Sequence, residues 1–289
     1  MKTKLTLKSL SLLAVLSSIT LAGCGQSESS AQNTSADSFA SAAIHVISRE
    51  EGSGTQSAFL ELFGIEDVLS DAEISNSTSV VMSTVANDPG AIGYISLGSL
   101  NDTVKAAAID GAAASVENVQ NGSYKVKRPF MIVYKNDSNE LIQDFLNYIH
   151  STEGAAVIQD EGYVPEKETG AFQSANPVGT MTIGGSSSVT PLMEKLAEAY
   201  MKANPKAALS VMQSDSTVGI TSANDGTYDI GMASRELKNE ESSYGLQEDI
   251  IAQDGIAVIL NKSSDVDGLT KENVTGIYTG EIRNWSDVK

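Results

Sequence analysis

Cysteine occurs once in these 289 residues, tryptophan once and histidine twice. A lone thiol cannot close a disulfide within the chain, and so few Cys and His leave little for a zinc site. Basic side chains are scarce too: 19 Lys and Arg stand against 37 Asp and Glu, a formal charge of −18. A surface that negative repels a phosphate backbone, which excludes a nucleic-acid-binding protein built on a basic face. With 6 Pro, 24 Gly and 41% hydrophobic residues the chain is neither fibrous nor of low complexity. Its length suits one large lobe or two smaller ones.

The first 23 residues read as an export signal. Lys2, Lys4 and Lys8 form a basic start, and the apolar run 10–22 is too short for the ~20 residues that cross a bilayer as a helix. The run ends in Leu21-Ala22-Gly23-Cys24, which resembles the bacterial lipobox. That resemblance implies cleavage before Cys24 and acylation of its sulfur; an ordinary signal peptide with an incidental Cys is the alternative. Removing the three lysines leaves a charge of about −21. Residues 24–43, rich in Ser, Ala, Asn and Gln and without an apolar period, read as a flexible tether, with a short ordered arm as the alternative.

Strands and helices then alternate. A β-branched run at 44–48 leads through Arg49-Glu50-Glu51-Gly52-Ser53-Gly54-Thr55 into an apolar-periodic stretch that ends near Phe63. The same order recurs at 180–183, where Gly184-Gly185-Ser186-Ser187-Ser188 precedes a helix with Leu192, Met193, Leu196 and Tyr200 on one face. It recurs again at 209–212, followed by Ser214-Asp215-Ser216-Thr217-Val218-Gly219. Leu141, Ile142, Phe145, Leu146 and Ile149 mark a further amphipathic helix, and 255–260 a buried strand. The class is α/β, with sheets expected to be largely parallel.

Those loops carry the chemistry. A helix start presents unpaired N–H groups and a partial positive charge, and glycine lets the backbone approach an anion. One Ser-rich start means only that a helix begins there. Three of them, one with Arg49, point to an oxyanion, because the guanidinium is a planar fork of donors. Glu51 can only accept a hydrogen, so Arg49 and Glu51 together favour a protonated oxyanion such as hydrogen phosphate; a surface ion pair between them is the alternative.

Ser48-Arg49-Glu50-Glu51-Gly52-Ser53-Gly54-Thr55 followed by Ala58-Phe59 resembles the central anion loop of the phosphate-binding lipoproteins of bacterial high-affinity phosphate ABC transporters. Asp88-Pro89-Gly90-Ala91-Ile92-Gly93-Tyr94 resembles a later segment of that family. Gly185-Ser186-Ser187-Ser188-Val189-Thr190-Pro191-Leu192 resembles its opening loop, and Asp229-Ile230-Gly231-Met232-Ala233-Ser234-Arg235-Glu236-Leu237 its second-strand motif. Asp254-Gly255-Ile256-Ala257-Val258 and the stretch from Ile277 through Trp285 are similar to the Gram-positive branch. The resemblance spans nearly all of 44–289, but in reversed order: the part like 178–289 comes first in the family and the part like 44–172 second. It implies a two-lobe periplasmic-binding-protein fold of type II, circularly permuted, with the old termini joined through 166–177. Two partial copies that fold only as a dimer are the alternative. Strands near 127–132 and 255–259 would cross between the lobes, one lobe being 44–128 plus 258–289 and the other 129–257.

Carried over residue by residue, the resemblance makes Arg49 the charged ligand of phosphate, with Ser53, Gly54 and Thr55 as donors at a helix start. Ser187, Ser188 and Ser216, with Thr217, would face them from the other lobe. Arg235, beside Ser234, stands where the best-known members have an Asp that accepts the ligand's hydrogen. It is expected either as a second cation on the ligand or paired with Glu236, and the accepting role passes to Glu51 or an acid such as Asp215. Glu236, Glu240 and Glu241 read as a solvated face, Trp285 and Tyr278 as core, and His45 and His150 as structural or solvated. Asp265 and Asp267 lack the pattern of a calcium loop. The implied protein is a monomeric, lipid-anchored extracytoplasmic phosphate receptor that serves an ABC permease and needs no cofactor. Sulfate, molybdate or tungstate are alternative ligands. A secreted serine hydrolase or phosphatase is a weaker alternative, since there is no Gly-x-Ser-x-Gly elbow and no loop His to act as base.

Overall fold

A computed structural model describes residues 43–135 and 139–288. The expected leader, Cys24 and all but the last residue of the tether lie outside the described residues. The chain runs β1 (His45–Arg49), α1 (Gly54–Phe63), β2 (Glu73–Ser75), α2 (Thr78–Asn87), β3 (Ala91–Ser96), β4 (Val104–Ala106), β5 (Ala108–Ile109), α3 (Val116–Gln120) and β6 (Lys127–Tyr134). It continues with α4 (Glu140–Ile149), α5 (Thr152–Asp160), β7 (Val164–Pro165), β8 (Gly179–Ser186), α6 (Thr190–Ala203), β9 (Ala207–Ser214), α7 (Ser216–Asp225) and β10 (Ile230–Ala233). The last elements are β11 (Gln247–Asn261), β12 (Gly268–Leu269) and α8 (Lys271–Thr279). Local rules set many of the ends. Asn139 caps α4 by accepting from Leu141 N and Ile142 N, Thr270 and Asn273 form a capping box on α8, and Gly280 at φ 84° closes it.

Eight strands run in the order β2-β1-β3-β11-β6-β10-β8-β9, and β4 and β7 pair with β11 as well. The pairs of β1 with β2 and β3, and of β8 with β9 and β10, are parallel, as βαβ connections require. The expectation of a largely parallel sheet fails in the middle. There β11 runs antiparallel to β3 and β6, and β6 antiparallel to β10. The reason is length: β11 has 15 residues, about 50 Å of extended chain, and β6 returns along it.

Two apolar cores flank this centre. The first gathers residues between 44 and 126 with 256–288, among them Ile47, Phe59, Tyr94, Val258, Ile277, Tyr278 and Trp285. The second lies between 130 and 252 and includes Phe130, Phe145, Leu192, Met193, Tyr200 and Ile230. β6 buries both faces: Phe130 and Ile132 enter the second core, while Met131 and Val133 join Ile220 and Ala233 in a smaller cluster. The ends of the described chain meet, since Ile44 N donates to Arg283 O at 2.8 Å and Ala43 bridges Asn284. The stretch 166–177 is tied down along its length. Thr169 N donates to His150 O, Ser174 Oγ and Ala175 N donate to Asp144, and Pro177 O accepts from Asn204 Nδ2.

Candidate functional site

Four strand-to-helix junctions converge between the two cores. At the first, Ser53 caps α1 by accepting from Gln56 N at 3.3 Å. At the second, Ser186, Ser187 and Ser188 lead from β8 into α6. The third is capped by Asp215, whose Oδ1 accepts from Val218 N at 2.8 Å, so that Ser216 opens α7. The fourth joins β2 to α2: Ser77 accepts from Val80 N at 3.3 Å and Thr78 is the first helical residue. Sequence reasoning missed this junction, although Asn76-Ser77-Thr78-Ser79 before the Val81/Val85 stripe is itself a helix-start signal.

Ser53, Thr55, Thr78, Ser186, Ser187, Ser188, Ser216 and Ser234 are all buried, with Arg49 among them at 2% exposure. Thr55 Oγ1 lies 2.9 Å from Ser188 Oγ, and Thr78 Oγ1 lies 3.1 Å from the same oxygen. Ser186 Oγ donates to Ser234 Oγ at 2.9 Å, Ser234 N to Ser216 Oγ at 3.1 Å, and the Ser216 and Ser234 hydroxyls are 3.5 Å apart. Thr217 N and Oγ1 both donate to Gly52 O at 3.2 Å. Gly54 sits against this group, and a Cβ there would fall inside contact distance of the Ser216 and Ser234 hydroxyls. So Arg49, Ser53, Gly54, Thr55, Ser187, Ser188, Ser216 and Ser234 come together, and Thr78 and Ser186 join them from outside the sequence-derived set.

The charges are arranged differently from the sequence expectation. Arg49 donates from Nε to Glu50 Oε2 and from Nη2 to Glu50 Oε1, each at 2.8 Å, from Nε to Ser75 O at 3.2 Å, and from Nη2 to Ser187 Oγ at 3.1 Å. Its carboxylate partner is therefore Glu50, and Glu51 is exposed. The chain leaves β1 in a turn closed by Ser53 N and Glu50 O, and Gly52 at φ 93° completes it. That turn holds Glu50 beside Arg49 and sends Glu51 outward. Tyr94 supports the strand end from below: its hydroxyl contacts Ser48 Oγ at 2.9 Å and accepts from Arg49 N at 3.1 Å. Burial pushes this phenol up to about 12, partly offset by those two hydrogen bonds.

Of the two roles expected for Arg235, pairing with the Glu236 carboxylate is not what the structure has. Arg235 donates to Glu236 only through the backbone oxygen, at 2.9 Å, while Glu241 receives Nη1 at 2.6 Å and Nη2 at 2.7 Å. Nη2 also reaches Thr217 Oγ1 at 3.0 Å. Glu241 is 2% exposed and leaves the solvated face expected for it, while Glu236 and Glu240 stay on that face. Burial alone would raise its carboxyl, but hydrogen bonds from Arg235 and Lys238 N outweigh burial and hold it below the usual range. A 3-10 turn over Glu241–Tyr244 brings Glu241 back onto Arg235, which spacing alone does not reveal.

A buried pair joins the crossing strands. Arg128 on β6 lies opposite Asp254 on β11 and donates to its Oδ2 from Nε at 3.2 Å and Nη2 at 3.1 Å. Ser96 Oγ donates to Asp254 Oδ1 at 3.0 Å, and Arg128 Nη1 donates to Ser234 O at 3.2 Å, which ties this pair to the hydroxyl cluster. Burial lowers Arg128 and pushes Asp254 up to about 6 against the pull of Arg128 and Ser96. Trp285 and Tyr278 are core residues, with Tyr278 OH donating to Ile47 O at 3.2 Å. His45 contacts Asp88 at 2.6 Å near the surface, and His150 contacts Asp249 at 2.6 Å. Among the described residues no group of acidic, Cys and His side chains could hold a metal, and no helix is long and apolar enough to cross a membrane.

Two cores linked by paired crossing strands, with anion-ready loops from both meeting between them, define a two-lobed binding protein. A family model described as the PBP superfamily domain matches residues 26–153 and 170–289. Phosphate-binding protein PstS 2 of Streptococcus agalactiae is 49% identical over 295 residues, covering 97% of this chain and 98% of that protein. The crystal structure of a phosphate ABC transporter phosphate-binding protein from Streptococcus pneumoniae TIGR4 matches with a TM-score of 0.70 at 42% identity, covering 86% of this chain and all of that one. Phosphate-binding protein PstS of Staphylococcus haemolyticus is 40% identical over 111 residues, 36% of this chain. The chain belongs to the PBP superfamily and, within it, to the family of the PstS proteins, with the two-lobe fold that the sequence resemblance implied.

Proposed function

We propose that the protein is a lipid-anchored extracytoplasmic receptor that binds inorganic phosphate between its lobes and delivers it to an ABC permease, without catalysis. The observation that carries this reading is the convergence of buried hydroxyls and Arg49 from loops of both cores. Arg49, Ser53, Gly54 and Thr55 act from the first lobe, and Ser187, Ser188 and Ser216 from the second. The first lobe combines 44–128 with 258–289, the second is 129–257, and β6 and β11 are the hinge. Contacts of Arg49 with Ser187, of Thr55 and Thr78 with Ser188, and of Thr217 with Gly52 join the lobes across the site. These contacts support a closed state, and in this reading the anion is dehydrated there and held by helix-start N–H groups.

The lobes are in permuted order. The juxtaposition of Ile44 and Arg283 supports this, because a cut there and a join through 166–177 leave the fold undisturbed. So does the contrast between a full-length match to the S. agalactiae protein and a match to the S. haemolyticus protein that ends after 111 residues. Cys24 carries the lipid, and the receptor works as a monomer.

Calorimetry of the purified protein with phosphate, sulfate and molybdate tests the reading. The expected result is one phosphate per chain, bound more tightly than the other two, and no turnover of a phosphoester. No heat with phosphate, or a preference for molybdate, would sink it. Gly54→Ala probes the closed state in particular. The added methyl meets the Ser216 and Ser234 hydroxyls and props the lobes apart, so phosphate affinity should fall about tenfold or more with little change in the ligand-free melting temperature. Affinity within about twofold of wild type would mean that the lobes do not meet at Gly54 when phosphate is bound.

A further inference from the structure

Among the described residues, the carboxylates of Glu50, Asp254, Glu241 and Asp215, close to the hydroxyl cluster, each already accept at least one hydrogen bond within the protein. Glu50 gives both oxygens to Arg49, Asp254 receives Ser96 and Arg128, Glu241 receives Arg235 and Lys238 N, and Asp215 caps α7. Glu51 is exposed. An ionised carboxylate only accepts, and so is the side chain that would require a hydrogen on the ligand. Here that work passes to hydroxyls, which fall into two groups.

In the first group the directions are set. Ser188 N donates to Ser186 Oγ at 3.3 Å, Ser186 Oγ donates to Ser234 Oγ, and Ser234 N donates to Ser216 Oγ. Fed by these donors, Ser216 and Ser234 are biased to turn their own hydrogens toward an anion. In the second group, Thr55 Oγ1, Ser188 Oγ and Thr78 Oγ1 form a row with spacings of 2.9 and 3.1 Å, and either partner of each contact can donate. A hydroxyl in such a row can accept a hydrogen from the ligand by turning its own along the row.

We infer that Thr78, acting in a row with Ser188 and Thr55, accepts the hydrogen of bound hydrogen phosphate and thereby sets the preference for phosphate over sulfate. The inference rests on the phosphate reading above and adds its specificity element. Arg235 directs Nη1 and Nη2 to Glu241 and Thr217 and, as a donor only, cannot receive the ligand's hydrogen. A row that can reverse its hydrogens disfavours sulfate, which brings none at neutral pH, but does not exclude it.

The test is calorimetry of the purified protein with phosphate and with sulfate, for wild type, Thr78→Val, Thr78→Ser and Arg49→Ala. Thr78→Val keeps the shape and removes the hydroxyl. It should weaken phosphate about fivefold or more, the worth of one hydrogen bond, and sulfate less than about twofold. Thr78→Ser should restore the preference, and Arg49→Ala should weaken both anions alike. A folded Thr78→Val with an unchanged phosphate-to-sulfate ratio overturns the inference and leaves the phosphate reading standing. If that variant does not fold, Ser188→Ala must show the same loss of preference, and an unchanged ratio there overturns it. A wild type that binds phosphate but shows no sulfate binding at all also overturns it. A wild type that binds no phosphate overturns the phosphate reading itself.

Discussion

Arg49→Ala is expected to weaken phosphate binding by about 2–4 kcal/mol, roughly 30-fold to several hundred-fold. The guanidinium is buried at the end of β1 and fixed by Glu50, Ser75 O and Ser187, so it meets a ligand already oriented and with little rotamer entropy left to lose. Charge-assisted bonds are worth about 1.5–3 kcal/mol each, and the planar fork can supply two. Two effects limit the loss. Glu50 offsets part of the arginine's charge, and the four helix starts each bring about half a positive charge that the substitution leaves in place. Arg49→Lys should fall between, since it keeps the charge and loses the fork. The fold should tolerate the change, because Glu50 is only half-buried and can turn to solvent. Calorimetry in matched buffers decides the matter, and an affinity within about threefold of wild type would remove Arg49 from the ligand shell.

Much of this geometry was legible in the sequence because it is local. The switch from a period of two to one of 3.6 across Arg49–Thr55, Gly184–Ser188 and Ser214–Gly219 locates three strand–loop–helix units, and each is present. What the sequence hid depends on distant chain or on the details of a turn. The antiparallel pairing of β11 with β6 and β3 brings together residues more than a hundred positions apart, which no periodicity encodes. The choice of Glu50 over Glu51 was settled by one glycine turn, and that of Glu241 over Glu236 by a 3-10 turn. Thr78 escaped notice for another reason. Its own segment says only that a helix begins, and its place opposite Ser188 exists only once the two cores are assembled. The charge pattern shows the same divide. A formal −18 describes the outer surface, while Arg49, Arg128 and Arg235 lie inside, each held by one carboxylate. In the proposed reading, an anion between the lobes would meet nearly balanced ion pairs and a set of N–H and O–H groups, and salt screens the outer field beyond ~10 Å.

The largest effect on stability is expected at Asp254. Asp254→Ala should cost about 3–5 kcal/mol of unfolding free energy, because it leaves Arg128 charged, buried and without its partner between the crossing strands. For a domain of this size that is a fall of roughly 6–20 °C in Tm. Asp254→Asn is milder, since it keeps the shape and an acceptor toward Ser96, and it separates charge from packing. The sign of its pH dependence follows from the direction of the shift. Burial raises Asp254 to about 6 in the fold, above the ~3.9 of an unfolded Asp, so between those values the native state holds a proton that the unfolded chain has released. The contribution of this carboxyl is therefore full below pH ~4 and is lost as pH rises through about 6, a change on the order of 3 kcal/mol. The Asn variant lacks this titration, so the wild type's advantage over it should be greatest near pH 4 and shrink toward pH 7. Urea unfolding of both proteins at a series of pH values measures the difference directly. Parallel pH profiles would show that Asp254 does not titrate in that window. An Asp254→Ala cost below about 1 kcal/mol would show that Arg128 finds another partner or reaches water, and that the two crossing strands are held by packing alone.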